Sequence, residues 1–416
     1  MSSASKAVLY ITATLMVLRL ATELLLSALN RAAVRRGLAT PPAAAAAVMD
    51  PATFSKTGAY TLARSRFGGL ESSCEALVLA IAVFGGVLPI LYRRVSAWGP
   101  PDSAWCGAIF ILLAGLLVAL PSLPFSWWSQ FRIEARFGFN RTTPGLWAAD
   151  LLKTAALSGA IGFPLLWALL ALARVAGPGW WIWGAGLMFV FQVAMLVLYP
   201  RLILPLFNRL ERLPDGDLRS RLVALAERTG FGAAAIDVID GGRRSAHSNA
   251  FFTGFGRHRR IVLFDTLVEQ LDPGELEAVL AHEIGHYRCG HIPRRLGLSA
   301  VLVAAGFAST AWLARSRWFD AAFGFPQGRM APTFLLFGLL AGTVTFWLAP
   351  LANRLSRKHE YEADAFARRA MGGAGQMVSA LRKLARNNLG NMTPHPWFSS
   401  FHHSHPTLAE RERALD

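Results

Sequence analysis

The stretch Ala281-His282-Glu283-Ile284-Gly285-His286 decides how the rest of this chain is read. Residues four apart on an α-helix share a face, so His282 and His286 can aim their imidazoles at one point while Glu283 stands one step round the rim. Neutral imidazoles bind Zn²⁺ at about 2.0–2.1 Å, and the metal lowers the pKa of a bound water towards about 7, where a neighbouring glutamate can take its proton. The pattern predicts one zinc per chain, His282 and His286 as ligands, and Glu283 as base rather than ligand.

The flanking residues supply the helix this requires. Asp272 is a good N-cap, Pro273 suits the first helical position, and Glu275 completes the spacing of a capping box before Leu276, Val279 and Leu280 open an apolar face. The helix is expected from Pro273 to about Cys289, stopped by Gly290.

A catalytic zinc needs a third protein ligand, and the candidates lie in Arg357-Lys358-His359-Glu360-Tyr361-Glu362-Ala363-Asp364. Glu360 and Asp364 share a helix face, so one can bind the metal while the other orients an imidazole; Glu362 points elsewhere. His359 and His291 compete, since a three-histidine site is chemically acceptable. His291 falls about 140° off the face of His286 and beyond the expected helix end.

Composition places this chemistry at a membrane. The chain has 416 residues, 53% hydrophobic and only 16% charged, with a mean hydropathy of +0.37, more apolar side chain than a soluble core of this size requires. A net charge of +16 would suit nucleic acid, but the basic residues are spread between apolar spans without a nucleic-acid motif, and anionic lipid headgroups are the simpler partner. Cys74, Cys106 and Cys289 have no paired spacing, which argues against a disulfide framework or a cysteine metal site.

Seven apolar runs are long enough to cross a bilayer: Ala7–Leu29, Cys74–Tyr92, Trp105–Leu123, Leu151–Leu172, Trp181–Leu202, Leu296–Ala314 and Phe334–Leu351. Seven spans put the termini on opposite sides. Arg19 and Glu23, four apart inside the first span, should face each other, a bundle interior or a water-filled cavity. The loops 30–72 and 124–150 carry nine basic residues (Arg31, Arg35, Arg36, Lys56, Arg64, Arg66, Arg132, Arg136, Arg141) against seven on the other side (Lys6, Arg93, Arg94, Arg174, Arg315, Arg317, Arg329). That excess mildly places the first set, and the HEIGH stretch with it, in the cytoplasm.

Between the fifth and sixth spans polarity rises. Asp217–Thr229 reads as a helix, Ile236–Asp240, Ala250–Thr253 and Ile261–Phe264 as short strands, and Gly254-Phe255-Gly256 with Arg257–Arg260 as a hairpin connection. After the seventh span Arg354–Ala370 continues without Pro or Gly, so this helix is expected to run on into the site and hold the zinc near the membrane surface. The chain thus divides into an N-terminal membrane region with five spans (1–204), a peptidase region with the HEIGH helix (205–295), spans six and seven (296–352) and a C-terminal part of the site (353–416).

HEIGH together with Glu360-Tyr361-Glu362-Ala363-Asp364 resembles the M48 metallopeptidases. Phe131-Arg132-Ile133-Glu134-Ala135-Arg136-Phe137-Gly138-Phe139-Asn140, Pro205-Leu206-Phe207-Asn208, His247-Ser248-Asn249-Ala250-Phe251, Ile261-Val262-Leu263-Phe264-Asp265-Thr266 and Ser404-His405-Pro406 narrow the resemblance to the Ste24-like CAAX prenyl proteases. The resemblance implies a multi-pass α-helical membrane protein, about seven transmembrane helices around a water-filled chamber, with a thermolysin-like α+β zinc peptidase domain. It implies His282, His286 and Glu360 as ligands, Glu283 as base, Asp364 as the partner behind a ligand, and His405 and Arg411 as transition-state or substrate contacts. Asn249 and Ala250 would lie on the strand edge that holds the substrate backbone. The expected activity is cleavage near the C-terminus of prenylated or other membrane-associated proteins.

Two other readings fit less well, and a third is a serious alternative. A site-2-type intramembrane protease would bury HExxH within an apolar span, whereas Glu275, Glu277 and Arg288 flank it here and Leu213-Pro214-Asp215-Gly216 precedes it. A non-catalytic scaffold with structural zinc does not require Glu283. A quality-control protease of membrane proteins without prenyl dependence would use the same site on other substrates. Oligomeric state is not encoded in any pattern found.

Overall fold

The computed structural model describes residues 2–232, 235–253, 260–316 and 318–416, and among these seven helices are long and apolar enough to span a bilayer. They are Ser3–Ala39, Pro51–Phe84, Ala104–Phe137, Pro144–Val175, Gly177–Phe207, His291–Arg315 and Met330–Met371. Large apolar side chains such as Tyr10, Val17, Leu152, Trp183, Val190 and Val301 point outward from them. In water such a surface would be a liability; against lipid tails it is the expected solvation.

The second helix corrects the hydropathy reading. The apolar run Cys74–Tyr92 is not one helix: the helix begins at Pro51, capped by Asp50 Oδ1 accepting from the Ala52 and Thr53 amides at 3.0 Å each, and ends at Phe84. Gly86, at φ +73°, turns the chain into a separate short helix, Val87–Ser96. Apolar content reports matching to lipid, and it continues across a glycine break that ends the hydrogen-bond ladder.

The loop reading changes with it. Arg31, Arg35 and Arg36 ride on the first helix, Lys56, Arg64 and Arg66 on the second, and Arg132 and Arg136 on the third. These helices project beyond the apolar layer, so most of the basic residues assigned to loops are on helical extensions. Within the third helix Ser129–Glu134 is wound as a π-turn.

A polar cavity of ≈ 520 Å³ lies among the helices, with Arg19, Glu23, Asn30, Tyr60, Arg64 and His403 on its wall. Arg19 Nε donates to Glu23 Oε1 at 3.0 Å, so the two intramembrane charges both pair and line a cavity, as such groups must. The cavity joins space beside the first three helices bounded by Glu75 and Phe125. Together these spaces form a chamber bordered chiefly by the first three membrane helices and by His402 and His403.

The peptidase part is built on a four-stranded sheet of order β1-β2-β4-β3: β1 (Leu210–Arg212), β2 (Ala235–Ile239), β3 (Ala250–Thr253) and β4 (Arg260–Phe264). β2 and β4 run parallel, while β1 and β3 are antiparallel edges. Ile261 and Leu263 face a core shared with Leu276, Leu280 and Ile284 of the HEIGH helix, and Val262 faces Leu204 and Ile239 behind the sheet. Each fully buried aliphatic there contributes roughly 1.5–3 kcal/mol. β1 escaped prediction because three residues, Leu-Glu-Arg, are too few to show an alternation. The connection 254–259 lies outside the described residues, as does Arg317.

The seventh helix runs on without a break into the site, as its sequence predicts. After a short 3₁₀ turn, Phe346–Leu348, it continues as Ala349–Met371, carrying Glu360 from the bilayer into the peptidase site.

Candidate metal centre and active site

The HEIGH helix, Pro273–Arg288, starts at the predicted cap: the Asp272 amide donates to Glu275 Oε2 at 2.9 Å, and the Asp272 side chain accepts from the Glu275 amide. Lys383 Nζ holds both carboxylates, 2.7 Å from Asp272 and 2.8 Å from Glu275. The helix is almost wholly buried and crosses the Glu360 helix in close contact. Gly285 sits at the crossing, where only a residue without a side chain fits between the two backbones.

That crossing assembles the metal ligands. His282 Nε2 and His286 Nε2 lie 3.2 Å apart, and Glu360 places Oε2 3.4 Å from the first and Oε1 3.4 Å from the second. A tetrahedral ion with ligand bonds of about 2.0–2.1 Å separates its ligand atoms by about 3.3 Å; the edge between the two histidines matches that spacing, and each imidazole faces a different oxygen of the Glu360 carboxylate. His282, His286 and Glu360 are also the one His/Cys/Asp/Glu group among the described residues with converging ligand atoms.

The competing histidines lie elsewhere. His359 is buried and stacked on His291, ring centroids 4.1 Å apart and planes 17° from parallel. The new helix begins at His291 after Gly290 turns the chain at φ +70°, which aims His291 back at His286: their Nδ1 atoms are 2.9 Å apart, and His291 Nε2 is 2.9 Å from Glu362 Oε2. Sequence reasoning missed this chain of support. The signal available was a histidine and a glutamate of unassigned role beside the two ligand helices.

His282 has its own outer partner. Its Nδ1 lies 2.8 Å from Asp364 Oδ1, and Arg411 grips the same carboxylate with Nη2 on Oδ1 at 2.5 Å and Nε on Oδ2 at 2.8 Å. Both bonds of Arg411 are thus made to Asp364, with the imidazole of His282 a further 3.4 Å neighbour. The capping box of Thr407 and Glu410 begins the short helix that carries Arg411. Burial alone would lower the pKa of His282, but its bonds to Asp364 and Glu360 raise it to about 9 in the metal-free site. Burial pushes Glu283 above the usual carboxylate range, opposed by the neighbouring His282 and His286.

His405 stands at the open side of the site, mostly exposed, with Nδ1 2.8 Å from Glu360 Oε2. Asn249 immediately precedes β3 and Ala250 begins it; β3 is the sheet's outer edge, pairs on one side with β4 and lies against the HEIGH helix. Asn249 accepts from the Ala250 amide at 2.9 Å, and its carbonyl accepts from Phe264 N at 3.1 Å. Asp364, Arg411 and His405 thus gather about the three converging residues, and β3 touches the HEIGH helix.

Comparison with known proteins agrees with this architecture. Residues 30–209 match the family described as CAAX prenyl protease N-terminal, five membrane helices, and residues 212–416 match peptidase family M48. CAAX prenyl protease 1 of Saccharomyces cerevisiae is 35% identical over 399 residues, covering 88% of this chain and 86% of that protein. The CAAX prenyl protease 1 homolog of Homo sapiens is 32% identical over 416 residues, covering 88% and 87%. The crystal structure of S. mikatae Ste24p superposes with a TM-score of 0.89 at 30% identity, over 100% of this chain and 99% of that one.

Proposed function

The chain belongs to peptidase family M48, as an integral membrane metalloendopeptidase of the CAAX prenyl protease type, and from that premise we propose that it is a zinc enzyme acting near the C-terminus of prenylated or other membrane-associated substrates. The observation that carries this reading is the convergence of one ligand atom each from His282, His286 and Glu360 within 4.8 Å, with Glu360 on the continuation of the seventh apolar helix. Such a site meets a peptide already held at the membrane.

His282, His286 and Glu360 would hold the zinc. When bound, the ion supplies Lewis acidity for activating water and polarising a peptide carbonyl. Glu283 takes the proton from the attacking water and returns it to the leaving amine, a cycle that suits a buried carboxylate with a raised pKa. His405 donates a hydrogen bond to the oxyanion that develops on the carbonyl carbon. Asp364, gripped by Arg411, fixes the ring of His282 and strengthens it as a ligand. The free edge of β3 takes the substrate backbone as an added strand, beginning at Asn249 and Ala250. The site faces the cytoplasm in this reading, following the basic helical extensions on its side.

The names of the relatives support a prenylated C-terminal motif as substrate. The test is cleavage by the purified protein of paired peptides, alike except for a farnesyl group on cysteine, with Glu283→Ala as control. Preference for the farnesylated peptide is expected. Equal cleavage of both would favour a broader role on membrane proteins, and equal activity of Glu283→Ala would remove the mechanism.

A further inference from the structure

Glu134 is a buried carboxylate outside the converging ligand group, on the π-turn of the third membrane helix, and the chemistry above does not use it. Burying a carboxylate is costly unless it is bonded, and this one is: Tyr60 Oη donates to Oε1 at 2.9 Å and Arg64 Nη1 donates to the same oxygen at 2.6 Å, both from the chamber wall. Its other oxygen faces His247 Nε2 at 3.4 Å. π-Turns recur where a helix must aim one side chain at a function.

His247 lies two residues before Asn249, where the substrate edge begins. Its ring is stacked on Phe139 with centroids 3.9 Å apart, its Nδ1 is 3.3 Å from Asn388 Oδ1, and the same oxygen accepts from Ser248 N at 3.2 Å. The backbone on either side is tied in too: Ala246 N donates to Phe139 O at 3.0 Å, and Thr266 Oγ1 donates to His247 O at 3.1 Å. The segment entering β3 is therefore clamped between a membrane helix and the C-terminal part of the chain. Among the described residues β3 pairs with β4 alone and stands last in the strand order, so its other side is the sheet's edge.

We propose that Glu134, acting through His247, is a positioning residue for substrate: it fixes the entry to β3 so that the strand edge stands at the height and register an added peptide strand requires. The proposal rests on strand addition at β3, since that edge is what Glu134 would position. A peptide long enough to pair along β3 draws on this alignment; one confined to the residues beside the metal does not.

The experiment compares two quenched peptides with the same farnesylated C-terminal motif, of about six and about fourteen residues, on wild-type protein and on Glu134→Gln, with His247→Gln as a second variant should the first not fold. Expected is a KM for the long peptide raised about fivefold to tenfold with kcat within about twofold, and little change for the short one, because an interaction made equally before and during reaction affects KM alone. Zinc content should equal that of wild type in both variants. A wild-type preference for the long peptide combined with equal losses on both peptides in the variants, or with no loss at all, overturns the role of Glu134 alone. A wild type indifferent to length overturns strand addition, and the proposal with it.

Discussion

A Cβ added to Gly285 would lie 2.9 Å from the carbonyl oxygen and 3.0 Å from the Cα of Ala363. Both obstructing atoms are backbone, so no rotamer change relieves the contact. The HEIGH helix and the Glu360 helix can approach this closely only because Gly285 has no side chain, and that approach brings Glu360 within ligand distance of the two histidines.

Gly285→Ala is therefore expected to push the helices apart by tenths of an ångström and to act on the metal as well as on stability. Overpacking of this kind costs typically about 1–3 kcal/mol. Thermal unfolding of the purified protein should shift down, and metal analysis should find less than the wild-type zinc content. A variant with full zinc and an unchanged Tm would show that the crossing tolerates a methyl group.

The contact between His286 and His291 gives a second expectation. The outer nitrogen of a ligand histidine is ordinarily held by a hydrogen bond that sets its orientation, and losing that partner costs about 10–100-fold in metal affinity. Here the partner is His291, itself held by Glu362. His291→Ala should weaken zinc binding by about that factor, measured by competition with a chelating dye, while Glu360→Ala abolishes it and His359→Ala, which removes only a stacked ring, leaves it nearly intact. Equal losses in the His291 and His359 variants would mean that packing, not the bond to His286, is what matters.

Much of this centre was legible in the sequence because its pieces are local. The Asp272 cap, the His282/His286 pair and the Glu360/Asp364 pair all follow from helical spacing of three or four residues, and the seven spans from apolar content alone. What was not legible depends on angles between elements. The αL turn at Gly290 swings His291 back onto His286, though on a continuing helix it would have faced away. Arg411 reaches Asp364 across 47 positions, a pairing that no local pattern encodes. The start of the second membrane helix was hidden for a different reason: its N-terminal half is polar, with Tyr60, Thr61, Arg64 and Ser65 lining the cavity.

Metal binding should depend steeply on pH. In the metal-free site His282 titrates near 9, raised by Asp364 and Glu360 against the effect of burial, so below that pH zinc must displace a proton from its ligand atom. The sign follows: affinity rises with pH until about 9 and falls as the medium is acidified, by up to about tenfold per unit for one displaced proton. The same shift means that the metal-free protein gains stability from the bound proton below pH 6.5 and loses that contribution as pH rises through about 9. Zinc affinity of Glu283→Ala, chosen to prevent self-cleavage, can be measured between about pH 6 and about pH 9 after correction for the dye. A flat profile would contradict a protonated His282 in the metal-free site.

His405 separates the metal from the transition state. Its ring is largely exposed at the mouth of the site and reaches Glu360 Oε2 at 2.8 Å, yet it stands outside the converging ligand group. Pro406 restricts its backbone to the extended region, which presents the side chain outward toward a bound peptide. A preorganised donor to a developing oxyanion is worth about 10²–10³ in rate, or about 2.7–4 kcal/mol. His405→Ala should then keep its zinc and a near-native Tm while kcat falls by about 10²–10³ with little change in KM. His402 and His403 are internal controls: both line the chamber, and His402 packs against Phe398 with centroids 4.4 Å apart. Their alanine variants should lose far less kcat. If the His405 variant instead lost its zinc, the residue would belong with the ligands, and a deeper kcat loss at His402 or His403 would transfer the oxyanion role to that neighbour.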